Sequence, residues 1–528
     1  MQIVSVLQLR HVLSRSLVSL LALLSLCLPV GIAQAAVSPA NAVWIFNADT
    51  LATNPERIFE LRIHITQAAY DRLSLIQMPN DPLGDIYESA SVELVCGEVD
   101  QARCGGATSK TWTGAGFRMK GQMGSFRPMS GKAGFKVKFP KTNLFFGLKK
   151  LTLNNGVQDG ARVNQTLAYD LFRAAGIAAP RTGYTLVKVI VAKNDGSFET
   201  LDYGLYINVE TPDDLFLIDR FGSYQHLYEA SYGADIFPGS EPVDPFVDGH
   251  FELDEGSATN FTDLTTLINL NTQGGPGSAH FANGTDAWFA AIKTKTDMVE
   301  MTQMWAIEGY LGHWDGYPTQ NNYFLYSDPS GRFSMLPWGT DDILKRRLNM
   351  AMCVGVMCYR CHDVAECRGM YDQGLDNASA LATSLGLAAK AAALHAVLLP
   401  HIAADPRKED TVEDTIAAKD SVVNFLNVRE SDIVDYHNCV PDTDGDGIND
   451  CVDEFPIHDA AAVDTDGDGK PNDLLYDCGS QCYGLVLDND DDNDGVPDAF
   501  DASPLVRASL STNGIFKGAI IRERVNRH

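Results

Sequence analysis

Apolar and polar residues follow two different periods along the chain. Between about residues 55 and 210 the pattern is strand-like: over 135–139 two lysines alternate with Phe, Val and Phe, which places the apolar side chains on one face. Between about 285 and 435 the apolar residues take helical spacing, as in 301–311. Strand-rich sequence followed by helix-rich sequence predicts an α+β fold, with a small β lobe over a helical lobe and a cleft between them.

Capping and turn residues mark the ends of two shorter helices. A helix is predicted over 162–175, with Gly176 as the residue that ends it, and we expect it to pack behind the cleft. A second helix is predicted over about 212–221, with Thr211 as its N-cap and a proline in its first turn. Glu210 then lies at a strand-to-helix junction, where it either lines a ligand pocket or serves as a structural hydrogen-bond acceptor.

Polar residues with chemical potential surround a predicted hairpin of two short strands within 323–336. Asp315 follows the apolar helix, Asn321 and Asn322 precede the first strand, and Asp341 follows the second. An acid, two amides and a second acid at the ends of elements are the groups from which proteins build a metal–phosphate site. The alternative is that Asp315 and Asn321 only cap or cross-link loops, since Asx residues are common in turns.

Upstream lysines and glycines are candidate phosphate ligands. Lys136 and Lys138 share the polar face of their strand, and a lysine so placed can pair with phosphate oxygens. A solvated basic face is the alternative for either residue. The glycines at 114, 116, 121 and 124 would let backbone amides approach phosphate, although a glycine-rich hairpin has the same composition.

These motifs, in this order, resemble the CotH-like (spore coat protein H) family of atypical kinases. The resemblance covers roughly residues 55–345 and rests on the segments 114–125, 132–139, 151–155, 176–181, 203–210, 313–326 and 333–341. It implies an atypical two-lobed protein-kinase-like domain that transfers the γ-phosphate of ATP to Ser or Thr hydroxyls of proteins, with Mg²⁺ or Mn²⁺ as cofactor.

The resemblance also implies roles for individual residues. Asp315 would align the acceptor hydroxyl, and Asp341 with Asn321 or Asn322 would hold the metal. The residues expected around the nucleotide are Gly121, Lys132, Lys136, Lys138 and Glu210.

One position departs from the family pattern. Where the family has Pro-Trp-Asp-x-Asp, this chain has Gly339 in place of the first acid and keeps Asp341, followed by Asp342. If the first acid is the metal ligand the site is impaired, and if the second is, the site survives. The alternative to an active kinase is therefore a catalytically inactive kinase-like surface or matrix protein, used for adhesion or display.

The N-terminus predicts export. Residues 1–35 have a weakly basic start, an apolar core and a small-x-small ending, which together are typical of a secretory signal. We therefore expect a secreted protein, extracellular or on the cell surface, with the periplasm as a further possibility.

Cysteine number agrees with an oxidising compartment. Of the 11 cysteines, Cys27 lies in the predicted signal, which leaves an even number in the mature chain and favours disulfides. We expect local bridges: Cys96 with Cys104, Cys439 with Cys451, Cys478 with Cys482, and Cys353, Cys358, Cys361 and Cys367 among themselves.

Acidic residues concentrate near the C-terminus. Residues 442–501 carry 18 Asp, one Glu and one Lys, and so contribute −18 to the net charge of −28. Three runs there place alternate aspartates around glycine, which is the spacing of oxygen ligands for Ca²⁺. The runs resemble thrombospondin type 3 repeats, and we expect structural calcium to be needed for their folding. The candidate ligands are Asp442, Asp444, Asp446, Asp450, Asp464, Asp466, Asp468, Asp473, Asp490, Asp492, Asp494 and Asp498.

The expected organisation combines these modules. A signal peptide (1–35) precedes a kinase-like domain (36–437), in which the Gly-, Pro- and Asp-rich stretch 232–285 is predicted to be a surface insertion. A small irregular calcium-bound segment (438–505) and a basic tail (506–528) follow.

Composition also limits the partners. The negative net charge of −28 argues against nucleic acid. The Ala/Leu-rich run 379–403 is interrupted by Lys390, His395 and Pro400, so it predicts a buried helix and no membrane span in the mature chain. The expected partner is therefore a protein substrate or a surface partner. Nothing in the sequence indicates the oligomeric state.

Overall fold

The structure is a computed structural model of the 528-residue chain. It describes residues 43–439 except 55–56, 80, 98–100, 123, 243–248, 273–283, 349 and 351–352, together with parts of 444–505. The predicted signal peptide and the predicted basic tail lie outside the described residues.

Within the described residues, seven strands close into a barrel that forms the β lobe. Around the barrel the order is β1-β2-β3-β4-β5-β7-β6, antiparallel except where β6 pairs with β1. The alternation predicted for 135–139 is confirmed, because Phe135 and Val137 are buried in the barrel whereas Lys138 is exposed. The strands are β1 (Phe59–Thr66), β2 (Glu88–Val95), β3 (Ser109–Lys120), β4 (Gly134–Lys138), β5 (Lys150–Asn154), β6 (Thr182–Ala192) and β7 (Phe198–Val209).

The helical lobe is built on a second sheet. Its order is β11-β10-β8-β9, with every neighbouring pair antiparallel. Its strands are β8 (His226–Ala230), β9 (Phe251–Glu255), β10 (Tyr323–Ser327) and β11 (Phe333–Pro337). The two strands predicted around residues 328–331 are thus β10 and β11, and they form the expected hairpin.

Helices from both ends of the described domain cover this sheet and share its apolar core. In chain order the helices of the structure are α1 (Ala48–Leu51), α2 (Gln67–Ser74), α3 (Asn164–Ala174), α4 (Asp214–Phe221), α5 (Thr262–Asn271), α6 (Asp286–Ile292), α7 (Met298–Leu311), α8 (Val356–Asp363), α9 (Ala365–Ser384), α10 (Leu387–Ala404) and α11 (Val412–His437). The prediction of an α+β fold with a β lobe and a helical lobe is confirmed.

Two helices begin later than predicted, each for a local reason. Arg162 has φ +63°, a left-handed conformation that excludes it from α3. Helix α4 takes Asp213 as its N-cap, and the carboxylate accepts hydrogen bonds from two backbone amides of the first turn. Thr211, the predicted cap, instead shares a hydrogen bond of 2.8 Å with Thr152 of the β lobe.

The described part of residues 232–285 is integral to the helical lobe rather than a surface loop. It contributes β9 to the second sheet, and α5 buries Leu264, Leu267 and Ile268 in the main core. These three residues follow the helical i, i+3, i+4 spacing. The abundance of Gly, Pro and Asp in the rest of the segment concealed this pattern.

The Ala/Leu-rich run is helical and partly buried, as expected, but it is divided. Helix α9 ends at Ser384, and α10 begins after Gly386, whose φ is +60°. Among the residues that the structure describes, α10 is the one helix long and apolar enough to cross a membrane. Its Leu394 and Leu398 pack in the core of the helical lobe.

Disulfides form at the predicted local positions within the described residues. The bonded pairs are Cys96–Cys104, Cys353–Cys358 and Cys361–Cys367. Cys439 is also disulfide-bonded. Cys451, Cys478 and Cys482 lie outside the described residues.

Candidate active site

The segment between α7 and β10 carries the candidate catalytic acid. Helix α7 ends at Gly312 in the left-handed conformation, and residues 313–322 then form a loop, called here the active-site loop. Gln320 and Asn322 have φ values of +61° and +45°, which non-glycine residues rarely adopt. Surrounding contacts must hold such a backbone in place, and conformations of this kind cluster at functional sites.

Asp315 is held between the two predicted amides. Asn321 and Asn322, called here the amide pair, each donate a hydrogen bond of 2.7 Å, one to each carboxylate oxygen of Asp315. Burial raises the pKa of Asp315. The hydrogen bonds from the amide pair and the charge of His313 lower it, but they offset only part of the effect of burial. Because each amide donates through nitrogen, its carbonyl oxygen is left to bind a cation.

A buried ion pair fixes the start of this loop. His313 and Glu308 are both fully buried, with 3.3 Å between Nδ1 and Oε1, and Glu308 also accepts from the backbone amide of Tyr317 at 3.4 Å. Burial alone would lower the pKa of His313, but the hydrogen bond and charge of Glu308 raise it overall. The pair therefore anchors the backbone on both sides of Asp315.

Asp341 and Asp342 differ in their hydrogen-bond partners. Asp342 accepts a hydrogen bond of 3.0 Å from the Trp314 indole and forms an ion pair with Lys345. The carboxylate of Asp341 receives no hydrogen bond from another described residue, and burial raises its pKa while the charge of Lys120 opposes that rise. A carboxylate in this state is suited to a cation or to the metal of a nucleotide.

Lys120 is a further candidate phosphate ligand, which the sequence pattern alone does not single out. It ends β3, and its ammonium donates to the side-chain carbonyl of Asn154 on β5. Burial and the nearby Lys136 lower its pKa to about 8, whereas the charges of Asp341 and Glu229 of the helical lobe oppose that fall. The same alternation that selected Lys136 continues through β3 and would have placed Lys120 on the outer face of the barrel.

Two predicted lysines lie outside this cluster. Lys132 is buried, where it forms an ion pair with Asp405 and donates to the carbonyl of Tyr203, so it joins the two lobes structurally. Lys138 is exposed, with its ammonium 5.8 Å from the centre of the Tyr87 ring. Lys136 is the predicted lysine that the structure brings next to Lys120.

Gly121 and Glu210 have structural surroundings. A Cβ at Gly121, where φ is +128°, would lie 2.9 Å from the Cα of Phe126, so the residue permits a tight turn after β3. Glu210 forms ion pairs with Arg181 at 2.8 Å and with Arg220 at 2.7 Å. These contacts agree with the interpretation of Glu210 as a structural acceptor.

Gly339 leaves room for the amide pair. A Cβ at this position would lie 2.7 Å from Oδ1 and 2.8 Å from Nδ2 of Asn322, and φ is +61°. The Asn322 side chain thus fills the space in which the acid of the family pattern would begin. A side chain at position 339 would therefore displace Asn322, which is one of the two residues that hold Asp315.

Gly339→Asp is accordingly expected to impair the site instead of restoring a family acid. We expect Gly339→Ala to lower the free energy of unfolding by about 1–2 kcal/mol from the left-handed backbone, and by about 1–3 kcal/mol more from displacing Asn322. Gly331→Ala is the matched control, because its φ is +72° but its Cβ would meet only an ordinary contact at 3.4 Å. Denaturant unfolding of the three variants tests this, and equal losses for the two alanine variants would contradict it.

The acid-rich segment is described only in part. Asp442, Asp446, Asp450, Asp466, Asp468 and Asp494 lie outside the described residues, whereas Asp444, Asp464, Asp473, Asp490, Asp492 and Asp498 lie inside them. Asp464 and Asp492 are only 8% and 5% exposed. Within the described residues, no three His, Cys, Asp or Glu side chains are grouped so that they could hold a metal ion.

Comparison with known proteins adds one family match. The family model described as CotH kinase protein matches residues 117–431. Among solved structures, the Helicobacter pylori proinflammatory kinase CtkA is similar over 60% of this chain and 92% of its own, at 10% identity and a TM-score of 0.23, which is too low to support any argument. No curated protein sequence matches the chain.

Proposed function

Because the chain belongs to the CotH kinase family, we propose that it is a secreted protein kinase that transfers the γ-phosphate of ATP to Ser or Thr hydroxyls. One observation carries the proposal: charged side chains from opposite lobes come near one another, since the charge of Lys120 acts on the carboxylate of Asp341. Asp315 and the amide pair come from the helical lobe with Asp341, and Lys120 comes from the barrel. Disulfides in the domain and the signal-like N-terminus support export.

The donor set fits a hard divalent cation. Asp341 offers a carboxylate without other donors among the described residues, and the amide pair offers carbonyl oxygens. Mg²⁺ and Mn²⁺ prefer such oxygen ligands. When bound, the metal would neutralise charge on the phosphates of ATP.

Each residue of the site then has a separate role in the transfer of the phosphoryl group. The acceptor oxygen bonds to the γ-phosphorus as the bond to the β-phosphate oxygen breaks, and ADP leaves. Asp315 orients the hydroxyl and accepts its proton, which the burial-raised pKa of the carboxyl favours. A carboxylate has lone pairs for this proton beyond those that bind the amide pair. Lys120 places a positive charge on the phosphate oxygens.

The outer face of β5 suggests the direction of the nucleotide. Asn154, Thr152 and Lys150 alternate along this face and lead from Lys120 to a crevice between the lobes. Four residues of strand span about 13 Å, enough for a ribose and a polyphosphate. The adenosine end of the nucleotide would therefore point along β5 toward this crevice, whose walls include Leu148, Lys150, Glu210, Thr211 and Phe216.

Lys120→Met is expected to remove most of the stabilisation that ATP gives the protein. The reason is the loss of the positive charge opposite Asp341, and charge-assisted contacts with phosphate contribute about 1.5–3 kcal/mol. Lys138→Met is the matched control, because Lys138 is an exposed lysine on the adjacent strand. Thermal unfolding with and without Mg-ATP measures both. Equal shifts in the two variants would contradict the placement of the phosphates.

The acid-rich segment is proposed to bind structural calcium. Its support is the sequence: residues 442–501 carry 18 Asp, in three runs that place alternate aspartates around glycine. This is the spacing at which carboxylate oxygens bind Ca²⁺. The result would be a stiff spacer after the kinase domain.

Removing calcium from the full chain is expected to open residues 442–500 to proteolysis. Protection should return at calcium concentrations of about 10⁻⁴–10⁻³ M, which suit extracellular modules. Magnesium at the same concentration is the control, since it demands octahedral geometry and dehydrates reluctantly. Limited proteolysis read by mass spectrometry measures this. Cleavage that is the same with calcium and with chelator would exclude the proposed site.

A further inference from the structure

Residues 233–236 form hydrogen bonds with the residues on either side of the amide pair. The backbone amide of Gly233 donates to the carbonyl of Gln320 at 2.9 Å, and the hydroxyl of Tyr323 donates to the carbonyl of Ala234 at 2.9 Å. Gln320 immediately precedes the amide pair and Tyr323 immediately follows it. The strained backbone of the active-site loop is therefore held from this segment at both ends.

Asp235 concentrates these contacts in one buried carboxylate. It is fully buried and accepts hydrogen bonds from the backbone amide of Val356 at 2.7 Å, the side-chain amide of Gln320 at 3.0 Å and the hydroxyl of Tyr317 at 3.3 Å. A buried carboxylate is costly unless donors satisfy it. Asp235 thus ties the active-site loop to the start of α8.

A disulfide lies beside Asp235 and the active-site loop. Cys353 and Cys358 are bonded, and they enclose residues 353–358, called here the disulfide loop. The backbone amide of Val354 donates to the carbonyl of Pro318 at 2.6 Å, and that of Met357 donates to the Tyr317 hydroxyl at 3.0 Å. The cross-linked loop therefore lies directly against the active-site loop.

We propose that Asp235 is a positioning residue for the active-site loop and that the Cys353–Cys358 disulfide is required to keep it so placed. The proposal rests on the proposed kinase function. The backbone amide of Val356 that Asp235 accepts belongs to the disulfide loop, so opening the cross-link frees one of its anchors. Gln320 and Asn322 can then relax toward ordinary φ values, which moves the amide pair away from Asp315. A shift of about 1 Å at a reacting group can cost roughly 10²-fold in rate.

The activity would therefore respond to the redox state outside the cell. A dithiol supplies two electrons and two protons, the S–S bond breaks, Cys353 and Cys358 become thiols, and the dithiol is oxidised to a disulfide. The kinase is active in the oxidised form and weakened in the reduced one.

The test compares two disulfides in the full chain. Cys353→Ser/Cys358→Ser removes the bridge beside the active-site loop. Cys96→Ser/Cys104→Ser removes a bridge of the β lobe that also joins cysteines close in sequence, 8 residues apart compared with 5. Asp235→Asn keeps the size of the side chain but turns one acceptor into a donor. For each variant, kcat and the KM for ATP are measured by label transfer, and hydrogen exchange is measured over residues 314–323.

We expect kcat to fall at least about tenfold in Cys353→Ser/Cys358→Ser and in Asp235→Asn, with a smaller change in KM and faster exchange over 314–323. The barrel variant should stay within about twofold of the wild type in kcat. Unchanged kcat and exchange in the first two variants would overturn the proposal, as would an equal loss in the barrel variant.

Two further outcomes are also decisive. If the double-serine variant does not fold, Tyr317→Phe replaces it. This change removes only the hydroxyl that donates to Asp235 and accepts from the backbone amide of Met357 in the disulfide loop. An unchanged kcat and an unchanged exchange rate would again overturn the proposal. If the wild type transfers no label, the proposed function fails. Faster exchange in Asp235→Asn would then still establish the positioning role, and unchanged exchange would refute it.

Discussion

Asp315→Asn is expected to reduce kcat for phosphoryl transfer by about 10²–10⁴-fold, the range for loss of a positioned acid–base group. An asparagine cannot take the proton of the acceptor hydroxyl. It also has one carbonyl oxygen where the amide pair now finds two carboxylate oxygens at 2.7 Å, so one amide loses its partner. Rates of label transfer at saturating ATP measure the effect.

The fold should survive this change. Asp315 is half-buried, and the fully buried His313–Glu308 pair keeps the loop anchored without it. Asp328→Asn is a suitable control, because Asp328 serves only the turn between β10 and β11. A rate for Asp315→Asn within about threefold of the control would remove Asp315 from the catalytic role.

Asp341→Asn is expected to weaken binding of the metal–nucleotide complex by at least about 100-fold, since even indirect ligands of a metal contribute 10–100-fold to affinity. Asp341 is the acid opposite Lys120, and no other described residue donates a hydrogen bond to its carboxylate. The measurement is titration of Mg-ATP or Mn-ATP against intrinsic fluorescence or thermal unfolding.

Its neighbour provides the matched control. Asp342→Asn removes the ion pair with Lys345 but keeps one oxygen that can accept from Trp314, so it should cost no more than about 1 kcal/mol of stability, the usual value for a hydrogen bond. Nucleotide affinity should be unchanged in that variant. If Asp342→Asn weakens the nucleotide and Asp341→Asn does not, the assignment of the two acids is reversed.

Local pattern predicted much of the fold because the signals are local. The alternation in β4 and the turn between β10 and β11 each depend on a few adjacent residues. Closure of the barrel depends on β1 pairing with β6, for example Phe59 with Thr185, and no short window contains that information. The predicted start of α4 is wrong for the same reason, since Thr211 forms a hydrogen bond with Thr152, which lies far earlier in the chain.

The site shows the same division. Asp315 and the amide pair are close in sequence, and the structure brings them into direct contact. Local sequence favours Lys132 as a phosphate ligand, but its partner is Asp405, which lies 273 residues later in the chain. Lys120 carried the same alternating signal as Lys136, but only the approach of Asp341 from the other lobe distinguishes it.

This chain is proposed to transfer phosphate with Gly339 in place of the first family acid. The most direct measurement is transfer of label from γ-labelled ATP to protein Ser or Thr, by the full chain in millimolar calcium with Mg²⁺ or Mn²⁺, beside Asp315→Asn and Asp341→Asn. We predict transfer by the wild type that is lost in both variants. No transfer by the wild type, together with no thermal shift on adding Mg-ATP, would contradict the account and favour a catalytically inactive surface protein.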